Sequence, residues 1–259
     1  MSRKAIYGKC RICGKESKLS FEHVPPRANF NNHSAIIISG DEIIRSVSEE
    51  GRNPWEFDRN KGKIQQKGKG GYYLCDSCNS NTGQWYATEY NKFVGAIHCA
   101  LIQADGSDYK ALWIKMKNLR PLAIFKQIMT MFCDINEGLM GDDTLKQYLL
   151  NKKSTGFSEN KYNLYIYIHE GSIEKCLGIC GVATPKGAYL ISEISGYPIG
   201  LALYIDKPKD IIPEGVEITM FSEFEYDELV DMEMIIPKLE NNIFFPGDYR
   251  TKEDILAID

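Results

Sequence analysis

Two Cys-x-x-Cys pairs, Cys10/Cys13 and Cys75/Cys78, constrain this chain more than any other feature. Each pair lets two thiolates reach one ion from a tight turn, and four thiolates complete a tetrahedral zinc site with no position open for a substrate. The pairs stand 61 residues apart, counting positions 14–74, so one structural Zn²⁺ would pin two distant segments and fold a stretch too small to hold itself together. Both have knuckle-like surroundings, Cys10-Arg-Ile-Cys13-Gly14 and Cys75-Asp-Ser-Cys78-Asn79. Paired thiols act as metal ligands where thiols stay reduced. The start, Met1-Ser2-Arg3-Lys4 followed by Ile6-Tyr7-Gly8-Lys9, has no apolar signal core, and the cytoplasm is the expected compartment. No uninterrupted apolar run approaches the ~18–20 residues that would span a bilayer, so no membrane partner is expected.

At 43% hydrophobic and 25% charged residues, the composition excludes a disordered chain. Charge is divided unevenly. Residues 1–93 carry 15 Lys and Arg against 10 Asp and Glu, a balance of +5, and the remainder, 16 against 25, stands at −9. A basic first third joined to an acidic remainder suggests two units with different partners, and the acidic part meets a protein or a second copy more readily than nucleic acid. Its other reading is surface that serves solubility.

The hydrophobic pattern divides the chain the same way. Ser17–Phe21 reads as a strand, and Ala35–Ile38 and Glu42–Ile44 around Ser39-Gly40-Asp41 read as a hairpin. The Lys- and Gly-rich stretch 59–71 lacks periodicity and reads as a mobile loop. Apolar residues at helical spacing predict one or two helices over 82–101, a helix over 121–136 with Pro121 in its first turn, and a short one over 144–151. Thereafter 164–168, 176–180, 189–191 and 199–205 are short β-rich runs, with 211–223 as a further candidate. The expected class is α+β, a zinc-stabilised N-terminal unit followed by a helical segment and an antiparallel β-rich C-terminal region. The expected division is 1–103 and 120–259, with Asp105-Gly106-Ser107-Asp108 as the connecting loop.

Between the cysteine pairs lies Phe21-Glu22-His23-Val24-Pro25-Pro26, and Asn79 directly follows the second pair. With these residues the stretch 8–93 resembles the HNH endonuclease family, in its branch with a four-cysteine zinc and an acidic residue-His-x-x-Pro motif. The resemblance implies a treble-clef-like ββα-metal unit that hydrolyses phosphodiester bonds in nucleic acid, most readily DNA. It implies that Glu22 and Asn79 hold a catalytic Mg²⁺ or Mn²⁺ and that His23 is the general base. Imidazole titrates in the range such a base needs, and an oxygen-bound divalent ion supplies charge where the phosphate becomes more negative. Such an enzyme would suit a mobile element, a phage or an anti-phage defence system.

The resemblance departs at one point. The family's middle Asn, which orients the metal loop, falls on Gly70, and the nearest upstream Asn is Asn60. Either this branch dispenses with that residue or the site is degenerate. Arg27 could clamp a phosphate, and Arg59, Lys61, Lys63, Lys67 and Lys69 could follow a backbone or form a solvated charge run. Cys176 and Cys180 are expected on one face of a strand, packed in the core, and Cys99 and Cys133 read as small core residues. His33, His98 and His169 read as structural. The alternative to a nuclease is a non-catalytic zinc module that binds nucleic acid or protein.

Overall fold

The computed structural model describes residues 5–155, 157 and 161–257. Strands β1 (Tyr7–Lys9) and β2 (Glu16–His23) form a hairpin around the first cysteine pair. The chain then makes an excursion through β3 (Ala35–Ile37), α1 (Gly40–Ser48) and β4 (Lys63–Gln65). It returns as β5 (Gly70–Cys75), which pairs with β2 and completes a sheet of order β1-β2-β5. The second cysteine pair lies at the junction of β5 with α2 (Asp76–Thr82), and a π turn at Gly83–Ala87 leads into α3 (Thr88–Ala104).

The excursion corrects two expectations. Ser39-Gly40-Asp41 starts a helix and does not turn a hairpin. The Ser39 hydroxyl accepts the Glu42 N–H at 3.3 Å, and Asp41 and Glu42 sit in the first turn, where the helix dipole favours acids. β3 pairs with β4 instead. The stretch 59–71 is also built into the fold, because it supplies β4 and the buried Lys69.

Beyond α3, β6 (Ala111–Leu119) pairs with a distant late strand, so the expected connecting region carries part of a two-stranded ribbon. Helices α4 (Pro121–Ile135) and α5 (Asp143–Leu150) follow. The antiparallel region is β7 (Tyr162–Ile168), β8 (Cys176–Thr184), β9 (Gly187–Gly196), β10 (Ile199–Ile205) and the short β11 (Val216–Glu217), in the order β11-β7-β10-β9-β8. β12 (Val230–Pro237), the partner of β6, and α6 (Lys252–Leu256) complete a mixed helix and antiparallel-sheet fold. Among the described residues no helix is long and apolar enough to cross a membrane.

Cys133 is buried as expected, but Cys99, Cys176 and Cys180 are exposed. β8 is an edge strand, and its alternation turns Leu177 and Ile179 inward and leaves Cys176 and Cys180 together on the exposed face.

Helix α4 is the centre of the molecule. A helix buried on one face needs an apolar stripe, whereas one apolar all round must be enclosed, and every residue of α4 from Pro121 to Asp134 is buried. One apolar cluster runs through it, from Cys10, Ile12, Val24, Leu74 and Phe93 to Leu164, Ile194 and Leu203 of the large sheet. At the other end of α4, Arg11, from within the first cysteine pair, donates to the Asp134 carbonyl and lies over the Tyr73 ring, 4.6 Å from its centre.

Polar groups are enclosed as well. His169 is fully buried, with Nδ1 3.4 Å from the Asn241 amide nitrogen and Nε2 unpartnered among the described residues. Burial pushes its imidazole down to about 4; Lys69 and Lys175 push the same way and Glu174 opposes them. Because the folded value lies below the unfolded one, the unfolded chain binds the extra proton, and stability is lost as pH falls from about 6.5 to 4. The full effect is about 3 kcal/mol. In denaturant titrations, the stability gap between wild type and His169→Gln should narrow by that amount between pH 7 and pH 4. Raised carboxylates elsewhere titrate in both proteins and cancel in the difference.

Candidate functional site

The four motif cysteines converge. Their sulfurs lie within 4.8 Å of one another, close enough for one metal ion to bind all four. Cys10 and Cys78 are buried, Cys13 and Cys75 partly so. Cys75 caps α2, its sulfur accepting the Cys78 N–H at 3.5 Å, as expected for a knuckle that opens a helix. With one proton shared between neighbouring sulfurs, the hydrogen bond from Cys78 holds the Cys10 thiol down to about 4, and the same contact pushes Cys78 up.

Beside β2 and α2 lies a cleft of about 250 Å³, lined among others by Glu22, His23, Arg27, Asn79 and Gln127. The four residues singled out from the sequence for chemistry therefore share one cavity, with the π turn Gly83–Ala87 at its edge. Asn79 is fixed to β2, its amide nitrogen donating to the Ser20 hydroxyl at 3.0 Å, and Ser20 donates in turn to the Leu74 carbonyl at 3.0 Å. Burial pushes the Glu22 carboxyl up to about 7, and the Asn79 side chain beside it works against that shift. A carboxylate so enclosed is stabilised by positive charge placed next to it.

His23 Nε2 lies 2.9 Å from the Lys67 carbonyl. A carbonyl can only accept, so Nε2 carries the proton, and in the neutral ring Nδ1 holds the lone pair. That tautomer leaves a ring nitrogen free to take a proton.

The segment bearing the Lys67 carbonyl is itself tethered by a residue the motif reading did not find. Asn31 is buried, donates through its amide nitrogen to the carbonyls of Pro25 (2.6 Å) and Lys69 (2.8 Å), and accepts the Lys69 N–H at 2.6 Å. It ties the turn after His23 to the strand entry opposite. At Gly70, where the family's middle Asn falls, a side chain is sterically barred, because a Cβ would lie 1.9 Å from the Glu22 carbonyl oxygen. The tether thus comes from upstream, 38 residues before Lys69. Asn60 has a different place, 3.5 Å from the Glu42 carbonyl. Asn31→Ala would orphan two buried backbone groups, the Pro25 carbonyl and the Lys69 N–H, while the Lys69 carbonyl keeps the Val24 N–H at 3.0 Å. With about 1–3 kcal/mol for each such group, offset in part by water entry, a net loss of about 2 kcal/mol is expected in urea melts.

The basic residues divide. Arg27, Arg59, Lys61, Lys63 and Lys67 are exposed and free to meet an anion. Lys69 is not, and its expected role as a phosphate contact is corrected. It is only 6% exposed, its ammonium is 2.6 Å from Glu174 and 3.1 Å from the Ser195 carbonyl, and it joins the entry of β5 to the large sheet. A charge spent on an internal carboxylate offers little to a ligand. His33, His98 and His169 have structural partners: the Phe30 carbonyl, the Tyr197 hydroxyl and Asn241.

Gln127 was also missed, since nothing in an apolar helical pattern marks one glutamine as facing a cleft. It is 7% exposed and its Oε1 has no hydrogen-bond partner among the described residues, at a cost of about 1–3 kcal/mol. Comparison with protein-family models, with curated proteins and with solved structures finds no match for this chain.

Proposed function

We propose that this protein is a metal-dependent, HNH-like endonuclease whose active site is the Glu22–His23–Asn79 cleft, held in shape by a structural zinc. The observation that carries this reading is the meeting of those three side chains and Arg27 in one cavity, with His23 Nε2 already bonded to the Lys67 carbonyl. For the zinc, the supporting distance is 3.9 Å between the Cys13 and Cys75 sulfurs. Zn–S bonds of 2.3 Å in a tetrahedron separate sulfurs by about 3.8 Å.

The donor set of the cleft suits a different ion. A carboxylate and an amide oxygen are hard ligands, which favour Mg²⁺ or Mn²⁺ over zinc. Such an ion, held by Glu22 and Asn79, would supply positive charge at the phosphate oxygens during hydrolysis. The chain's own residues do the rest. His23 Nδ1 accepts the proton of a water aimed at phosphorus, and as the ring becomes cationic its Nε2–H bond to Lys67 strengthens. Arg27, at the rim, presents a planar donor fork to a phosphate. Lys61, Lys63 and Lys67 extend the basic surface along the excursion, which suits DNA.

The test is nicking of supercoiled plasmid by purified protein with Mg²⁺ or Mn²⁺ and with EDTA. Cation-dependent nicking supports the nuclease. Retained DNA binding in mobility-shift assays, with no cleavage of any DNA or RNA under either cation, would instead make this a zinc-held binding module.

A further inference from the structure

Helix α4 carries four polar side chains in its buried span: Lys126, Gln127, Thr130 and Asp134. Two are satisfied internally. The Lys126 ammonium donates to the Tyr148 and Asn151 carbonyls at 2.9 and 2.6 Å and so closes the end of α5, and the Thr130 hydroxyl donates to the Lys126 carbonyl at 2.8 Å. Asp134 sits against the cysteine-bearing unit with its Oδ1 unpartnered among the described residues; burial and the Glu22 charge push its carboxyl well up, and Arg11 works against them. Gln127 precedes it by seven residues, two helical turns, so both lie on one face of the helix. At its Gln127 end that face borders the cleft beside Glu22 of β2 and Asn79 of α2. Gln127 Oε1 has no hydrogen-bond partner among the described residues, and the residue lines the cleft with Glu22 and Asn79.

A leucine or methionine would fill this position in an apolar core with no orphaned acceptor. The amide oxygen is unpartnered toward the protein, yet the residue borders a cavity that already gathers a carboxylate and another amide. Rotation about the last side-chain torsion, which is broad in glutamine, exchanges the two ends of the amide, so either can face the cleft. We propose that Gln127 is a ligand group of the divalent-cation site, its Oε1 joining Glu22 and Asn79 directly or through a metal-bound water. This rests on the reading of the cleft as a cation site. It adds an oxygen donor from outside the zinc-pinned unit, so two parts of the chain build the site together. A neutral oxygen contributes to such a site without adding charge.

The experiment is calorimetric titration of the zinc-loaded full chain with Mn²⁺, for wild type, Gln127→Leu, Gln127→Glu and Glu22→Gln, beside melting temperature and zinc content. Leucine matches the apolar surroundings, so Gln127→Leu should fold and keep its zinc. The expected result is Mn²⁺ binding about tenfold weaker in Gln127→Leu and at least as tight as wild type in Gln127→Glu. Unchanged binding in Gln127→Leu would overturn the proposal. So would Gln127→Glu binding as weakly as Gln127→Leu, which would assign the amide as a donor to substrate phosphate. Wild type that binds no Mn²⁺ beyond background would remove the cation site and the proposal with it. The two readings fail separately. Mn²⁺ binding lost in Glu22→Gln and weakened in Gln127→Leu, without cleavage of any nucleic acid, sinks the nuclease and keeps the ligand. Plasmid nicking by a protein whose Mn²⁺ affinity ignores Gln127→Leu does the reverse.

Discussion

Replacing His23 with alanine should lower the rate of plasmid nicking by about 10²–10⁴-fold, the contribution of a positioned general base. The fold should barely notice. His23 is partly exposed at the end of β2, and its one side-chain hydrogen bond is to a carbonyl in an exposed position, which water can satisfy once the ring is gone. Zinc content and melting temperature should therefore match wild type, which separates loss of chemistry from loss of structure. The cleft opens to solvent, so added imidazole should restore part of the lost rate, with rescue rising with pH as imidazole becomes neutral. A variant that nicks at the wild-type rate would show that His23 moves no proton and that the base lies elsewhere.

The second large effect is structural. Cys10→Ser should drop bound zinc well below one per chain and cost at least about 5 kcal/mol, because a structural zinc site contributes most of the folding free energy of the segment it closes. At 2–4 °C per kcal/mol for a chain of this size, that is a fall of about 10–20 °C in melting temperature. The damage spreads because Cys10 and its neighbour Ile12 are fully buried in the same apolar cluster as Phe132 of α4. Without the ion, β1 and β2 are held to α2 by the β2–β5 ladder and the Asn79–Ser20 hydrogen bond. The exposed Cys99 is the control, and Cys99→Ser should leave both zinc and melting temperature unchanged.

Most regular elements were legible where one local pattern dominated. Helix α4 announced itself by unbroken apolar spacing after Pro121, and the late strands by short β-branched and aromatic runs between turn residues. The cysteine cluster followed from motif spacing, and the grouping of Glu22, His23 and Asn79 from the family resemblance. Helix α1 was misread because three isoleucines before Ser-Gly-Asp look like a strand entering a turn. Its start signal was present nonetheless, in the Ser39-x-x-Glu42 spacing of a capping box. The fate of Lys69 was not legible, since its carboxylate partner is Glu174, on a segment more than a hundred residues away. Nor was the tether at Asn31, because a lone Asn in a loop carries no sign of which backbone groups it will hold. The cysteines of β8 share one face as their spacing implies, but it is the exposed face, and alternation alone does not say which face of an edge strand meets the core.

Helix α4 bears on how such a protein can change over generations. All four sulfurs and the Glu22–His23–Asn79 set lie in the first 79 residues, which looks like a portable cassette. Recombination that moved that stretch into another gene would carry the proposed site residues but leave behind the helix that shares a core with Ile12, Val24 and Leu74 and whose Gln127 lines the cleft. The halves are thus bound to a shared line of descent: substitutions along α4 are answerable both to the large sheet and to the cleft, and drift in one must be matched by accommodation in the other.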